Sequence, residues 1–120
     1  MKKLMLILTC LVGFGAIAQS QIPSPPAVVT QKVGNTEVMI KYAQPAAKGR
    51  LVFGTKEQKA LVPFGEVWRT GANESTTIEF SADVTVQGKT LAKGVYSLFT
   101  IPGATDWIIV FNKEAKMWGA

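Results

Sequence analysis

Thr76-Thr77-Ile78-Glu79-Phe80 and Gly94-Val95-Tyr96-Ser97-Leu98-Phe99-Thr100-Ile101 are the two stretches that decide the fold. In the first, Thr76, Ile78 and Phe80 share one face and Thr77 and Glu79 the other, the period-two pattern of a half-buried strand. The second is dense in side chains that favour a pleated surface, Val95, Tyr96, Leu98 and Phe99 among them. Between them Val84 and Val86 carry the alternation on to a Gln87-Gly88 turn. After Pro102-Gly103, the unbroken apolar run Trp107 to Phe111 reads as a central strand covered on both sides. Upstream, Val28 to Val33 and Thr36 to Tyr42 flank Gly34-Asn35, a two-residue turn that tolerates positive φ. Val38, Ile40 and Tyr42 there oppose Glu37, Met39 and Lys41. Leu51-Val52-Phe53 is a short apolar run between Gly49 and Gly54, and Thr55 to Lys59 reads as a charged loop. No window holds apolar residues at helical spacing with caps. Short strands punctuated by Gly and Pro predict an all-β domain, an antiparallel β-sandwich or open barrel-like sheet.

The N-terminus has a different character. Lys2 and Lys3 precede an almost wholly apolar run from Leu4 to Val12, and Ala16-Ile17-Ala18 supplies a small-x-small exit. This order is that of a cleavable signal peptide over residues 1–18. The apolar stretch falls short of the roughly 20 residues that a membrane-spanning helix takes. Cys10 is preceded by Ile7-Leu8-Thr9 rather than by small residues, so it reads as part of the discarded segment and not as a lipidated first residue. The expectation is an exported protein, periplasmic or secreted, with no stable membrane anchor after cleavage. Residues 19–26, QSQIPSPP, read as a Pro/Ser-rich linker, and 27–120 as the β domain.

Composition limits the chemistry. Without Lys2 and Lys3 the 13 basic residues become 11 against 8 acids, so the net charge falls from +5 to +3. The lysines are scattered, which offers no clustered footprint for nucleic acid. Cys10 leaves with the signal and the chain has no histidine. Disulfides, His-based metal sites, a Ser-His-Asp triad and an imidazole general base are therefore all excluded for residues 19–120. The sequence calls for no cofactor and no metal.

One segment between the strands carries unusual chemistry: Leu61-Val62-Pro63-Phe64-Gly65-Glu66-Val67-Trp68-Arg69-Thr70-Gly71-Ala72-Asn73-Glu74. Loops on rigid β scaffolds are common places for function. Trp68, Arg69, Thr70, Asn73 and Glu74 form the candidate ligand-binding set. Arg69 offers a planar fork for a carboxylate or phosphate, Trp68 a flat apolar surface, and Asn73 and Glu74 polar partners. The reading that follows is a non-enzymatic module for a small molecule or cell-envelope component. Two alternatives stand beside it. One is a hydrolase using Glu66 or Glu74 as an acid/base pair, though no catalytic residue is assigned because nothing in the spacing brings the two together. The other is a purely structural envelope domain in which Arg69 pairs with Glu66, Glu74 or Glu79 and latches the loop. Asn73-Glu74-Ser75 also fits a glycosylation sequon, which matters only in a eukaryotic secretory pathway.

The same segment, with Thr76 to Phe80, resembles the hallmark of a bacterial family, the domain of unknown function numbered 2911. Gly94 to Gly103, Trp107 to Lys113 and Trp118-Gly119-Ala120 match in order, and Lys48-Gly49-Arg50 with Phe53-Gly54 sits where that family has a basic-glycine motif. The likeness covers Ser24 to Ala120. It implies an exported, β-rich domain of Bacteroidetes-type bacteria with no established activity. It also implies further strands beyond Trp118-Gly119-Ala120, and hence a β domain incomplete at its C-terminus. That agrees with the exposed apolar character of Met117 and Trp118, which must either tuck back onto the sheet or leave an unpaired edge.

Overall fold

The computed structural model describes residues 22–118. The expected signal peptide and the first three residues of the expected linker lie outside the described residues. Strand β1 (Pro26–Val33) begins on the last linker residue and pairs along its whole length with β2 (Thr36–Ala43). The Gly34-Asn35 turn between them has positive φ at Gly34, at 60°, and not at Asn35. That is the pattern of a II′ turn, whose twist suits a tight hairpin.

β3 (Phe53–Gly54) and β4 (Val62–Pro63) are two-residue strands that pair in parallel. The following strands are β5 (Thr77–Phe80), β6 (Val84–Val86), β7 (Lys89–Leu91), β8 (Gly94–Ile101) and β9 (Ile108–Asn112). The main sheet is five-stranded, antiparallel and ordered β1-β2-β5-β8-β9, and β6 and β7 form a separate hairpin. The all-β expectation holds: among the described residues there is no helix and no closed barrel.

Register places the core. Ile40, Ile78 and Tyr96 are aligned across three strands, as are Val38, Phe80 and Gly94. Side chains at paired positions share a face, so these residues meet on one side of the sheet. Ile78, Phe80 and Tyr96 are its buried centre, with Val38, Ile40, Leu98 and Phe111 packed around them. Val84 and Leu91 from the β6–β7 hairpin cover the cluster. The Phe80, Tyr96 and Phe111 rings meet pairwise at 6.1–6.3 Å, within the range of favourable tilted and edge contacts.

One sequence expectation changes. The apolar run from Trp107 to Phe111 is not a central strand. Among the described residues β9 pairs with β8 alone and forms an edge of the sheet, and Ile108 and Ile109 are 59% and 49% exposed. An apolar run marks strand propensity, but which strands flank it is a matter of tertiary pairing that the run does not encode. The C-terminal segment does tuck back. The Ser75 amide donates to the Met117 carbonyl at 2.7 Å, and the Ser97 hydroxyl donates to the Glu114 carbonyl. The Trp118 side chain nevertheless stays exposed.

Phe80 is the side chain on which this thin core turns. Phe80→Ala is expected to cost about 3–5 kcal/mol in urea unfolding. Val33→Ala, on the open edge strand β1, is expected to stay within roughly 0.5 kcal/mol of the parent. Equal effects would mean that the core does not sit where the register places it.

Candidate functional site

The candidate segment sits beside the far half of β8. β5 covers β8 only from Gly94 to Ser97. Beyond that point the backbone of β8 needs other partners, because buried amides and carbonyls are costly when unpaired. The loop supplies them. Trp68 and Thr100 exchange both hydrogen bonds, at 2.8 and 2.9 Å, and Leu98 donates to the Thr76 carbonyl at 2.7 Å. Gly65 donates to the Pro102 carbonyl at 2.8 Å. Trp68 and Thr76 therefore act as successive partners of β8, although seven residues, 69–75, lie between them.

The residues between them leave the line as a compact excursion. The Thr76 amide closes it on the Arg69 carbonyl at 3.1 Å, and the Thr76 hydroxyl donates to the Thr70 carbonyl at 2.8 Å. At its tip the Ala72 amide reaches the Ala43 carbonyl at the end of β2. Thr70 and Asn73 both have positive φ, at 60° and 58°. Asn visits this region readily, but a β-branched residue there is strained. The strain, of order 1–3 kcal/mol, is opposed at Thr70 by its hydroxyl, which meets Thr100 Oγ1 at 3.1 Å and the Trp68 carbonyl at 3.3 Å.

This backbone path separates the candidate residues. Trp68 and Arg69 line a hollow of about 360 Å³ on one side, together with Arg50, Val52, Leu61 and Val62. Asn73 and Glu74 line a different hollow of about 530 Å³, with Met39, Lys41, Glu79 and Trp118. Thr70 holds the backbone between them. Trp68 also packs edge-on against Phe53, with ring centres 5.3 Å apart, and Phe53 in turn meets Trp107 at 4.9 Å. The indole is thus fixed in orientation by β3.

The charged groups take unexpected partners. Glu66 pairs with Lys56 at 2.7 Å, both side chains largely exposed. Donating to that carboxylate, and its charge, holds Lys56 above its ordinary range. An exposed pair of this kind contributes little to stability. Among the described residues Arg69 makes no ion pair, and its Nε is buried with no hydrogen-bond partner. No three His, Cys, Asp or Glu side chains come together among the described residues. Arg50 is the site residue that sequence reasoning missed. Its Nε and Nη2 donate to the Ala47 and Ala46 carbonyls at 2.9 and 2.8 Å, so its own turn aims it. The available signal was that Arg50 and Arg69 are the only arginines in the chain.

Gly71 makes the excursion possible. A Cβ at this position would lie 3.0 Å from Thr76 Oγ1 and 3.1 Å from the Ala43 carbonyl oxygen. Gly71→Ala must therefore push Thr76 Oγ1 or the Ala43 carbonyl by a few tenths of an ångström, and both take part in the bonds that close the excursion. The expected result is a loss of about 1–3 kcal/mol, with faster amide exchange at Ala72 and Thr76. An unchanged exchange pattern would show that the close approach does not constrain the segment.

Comparison with known proteins adds the family and no activity. No curated protein and no solved structure matches the chain. A family model matches residues 24–120, and with that the chain belongs to the family described as "Protein of unknown function (DUF2911)".

Proposed function

We infer that this is an exported, non-enzymatic binding module whose Trp68–Glu74 segment is the contact surface for a small molecule or a cell-envelope component. The observation that carries the reading is Arg69: a half-buried guanidinium that makes no ion pair among the described residues and whose buried Nε meets no acceptor among them. A buried donor without a partner costs about 1–3 kcal/mol, and groups of this kind call for a reason. A residue serving as a latch would use its donors on a carboxylate. The loop is instead tied by Trp68, Thr70 and Thr76 through backbone and hydroxyl groups. Strained backbone held by its surroundings, as at Thr70, also concentrates at binding sites.

The hydrolase reading finds no comparable support. Glu66 is engaged by Lys56, while Glu74 lines the hollow on the other side of the excursion. Export rests on the signal-peptide pattern of residues 1–18.

Arg69→Met separates binding from latching. It keeps the aliphatic stem and removes the buried donor. The binding reading expects a melting temperature equal to or above that of the parent, because no ion pair is lost. A fall of about 8 °C or more, which for a domain of this size corresponds to more than about 1 kcal/mol, would identify a latch and remove the binding reading.

A further inference from the structure

We propose that the hollow between Arg50 and Arg69 binds a small organic anion, a carboxylate or phosphate monoester carried on an apolar body. This rests on the binding reading above and narrows it to one side of the excursion and one chemical class.

The first argument is charge. Both arginines of the chain line this one hollow, and no Asp or Glu lines it. They arrive from separate parts of the sequence, Arg50 from the turn before β3 and Arg69 from the segment on β8. Two like charges at one partly enclosed surface repel each other, and a shared anion converts that repulsion into attraction. Elsewhere the positive charge of the chain is carried by lysines spread along the sequence.

The second argument is donor geometry. A guanidinium has five N–H donors. Arg50 uses Nε and Nη2 to grip the Ala46 and Ala47 carbonyls, which fixes the plane of its fork and leaves donors free. Arg69 gives none of its donors to a described residue, and its Nε is already out of water. A fork held like that of Arg50 recognises the two oxygens of a carboxylate or phosphate with little rotamer freedom left to lose on binding, and the donors of Arg69 are uncommitted beside it.

The third argument is the remainder of the wall. Val52, Leu61, Val62 and Trp68 are apolar, and Phe53 holds the Trp68 ring. A bare inorganic anion would leave these surfaces without a partner. At about 360 Å³ the hollow is near the lower end of small-molecule sites, which run from about 300 to 1,000 Å³. A single ring or a short branched chain bearing one acidic group matches both size and polarity.

The test uses four probes on the exported protein, followed by backbone-amide NMR and calorimetry: benzoate, phenyl phosphate, benzyl alcohol and inorganic phosphate. The expected result is saturable binding of benzoate or phenyl phosphate, with shifts at Arg50, Val52, Leu61 and Arg69. Benzyl alcohol and inorganic phosphate are expected to bind at least roughly tenfold more weakly, since each lacks half of the match. Arg50→Gln and Arg69→Met, each verified as folded by its own spectrum, are expected to weaken the better anion by about tenfold or more. Equal binding of benzyl alcohol, undiminished binding by both variants, or no saturation by about 10 mM would overturn the proposal. If a fragment library then shifted only Asn73 and Glu74, the broader binding reading would survive on the opposite hollow. If no fragment shifted any residue of 68–74, both would fall.

Discussion

The two hydrogen bonds between Trp68 and Thr100 set the geometry of everything around the candidate site. β8 runs eight residues, from Gly94 to Ile101, but β5 covers only its first half. The remaining amides and carbonyls face the position that β5 leaves empty, and unpaired backbone there would be costly. Trp68 on one side and Thr76 on the other fill that position without forming a strand of their own. Once both ends are pinned to β8, the intervening residues must leave the sheet and return. The close approach at Gly71, the left-handed backbone of Thr70 and Asn73 and the separation of Arg69 from Glu74 are consequences of that one attachment.

The domain is divided in its chemistry along β8. The near half carries the apolar cluster of Ile78, Phe80 and Tyr96 under the β6–β7 hairpin. The far half, from the junction at Ser97 onward, is organised by small hydroxyls. Ser75, Thr76, Ser97 and Thr100 are all buried, and each has a hydrogen-bond partner. Satisfied polar seams of this kind impose one geometry, because any slip leaves a hydroxyl unpaired in a dry place. The seam reaches the C-terminal segment as well: Ser97 bonds both the Ser75 hydroxyl and the Glu114 carbonyl, and Ser75 holds the Met117 carbonyl. The excursion is therefore fastened to β2, β8 and the segment after β9 at once.

Much of this was legible in the residues. The alternation in Thr76 to Phe80 and Val38 to Tyr42, and the turns at Gly34-Asn35 and Gln87-Gly88, located most of the main sheet because the period-two pattern and turn chemistry are local information. What the residues hid was pairing. β3 and β4 are two residues each and pair in parallel, too short to register as a pattern. The position of β9 at an edge depends on its neighbours rather than on its own composition. The site was half legible for the same reason. The Trp68–Glu74 segment stood out by composition, but nearness in sequence suggested that Arg69, Asn73 and Glu74 act together. Two left-handed residues in six redirect the chain too sharply for that. Arg50 joins Arg69 only through the fold.

The two hollows flanking the excursion differ in a way that bears on the proposed ligand. The larger is lined by charges of both signs, Lys41 and Lys116 with Glu74 and Glu79. Its field is largely self-compensated, and its lining groups are wetted or can pair with one another as side chains move. The smaller has positive charge alone, set against valine, leucine and tryptophan. Low-polarity walls strengthen an uncompensated charge by limiting how well water can screen it. Volume alone would point to the larger hollow. Electrostatics points to the smaller one, and it is the stronger guide to the proposed site, since a cavity can be filled by water whereas two guanidinium groups with no carboxylate in the lining stay uncompensated.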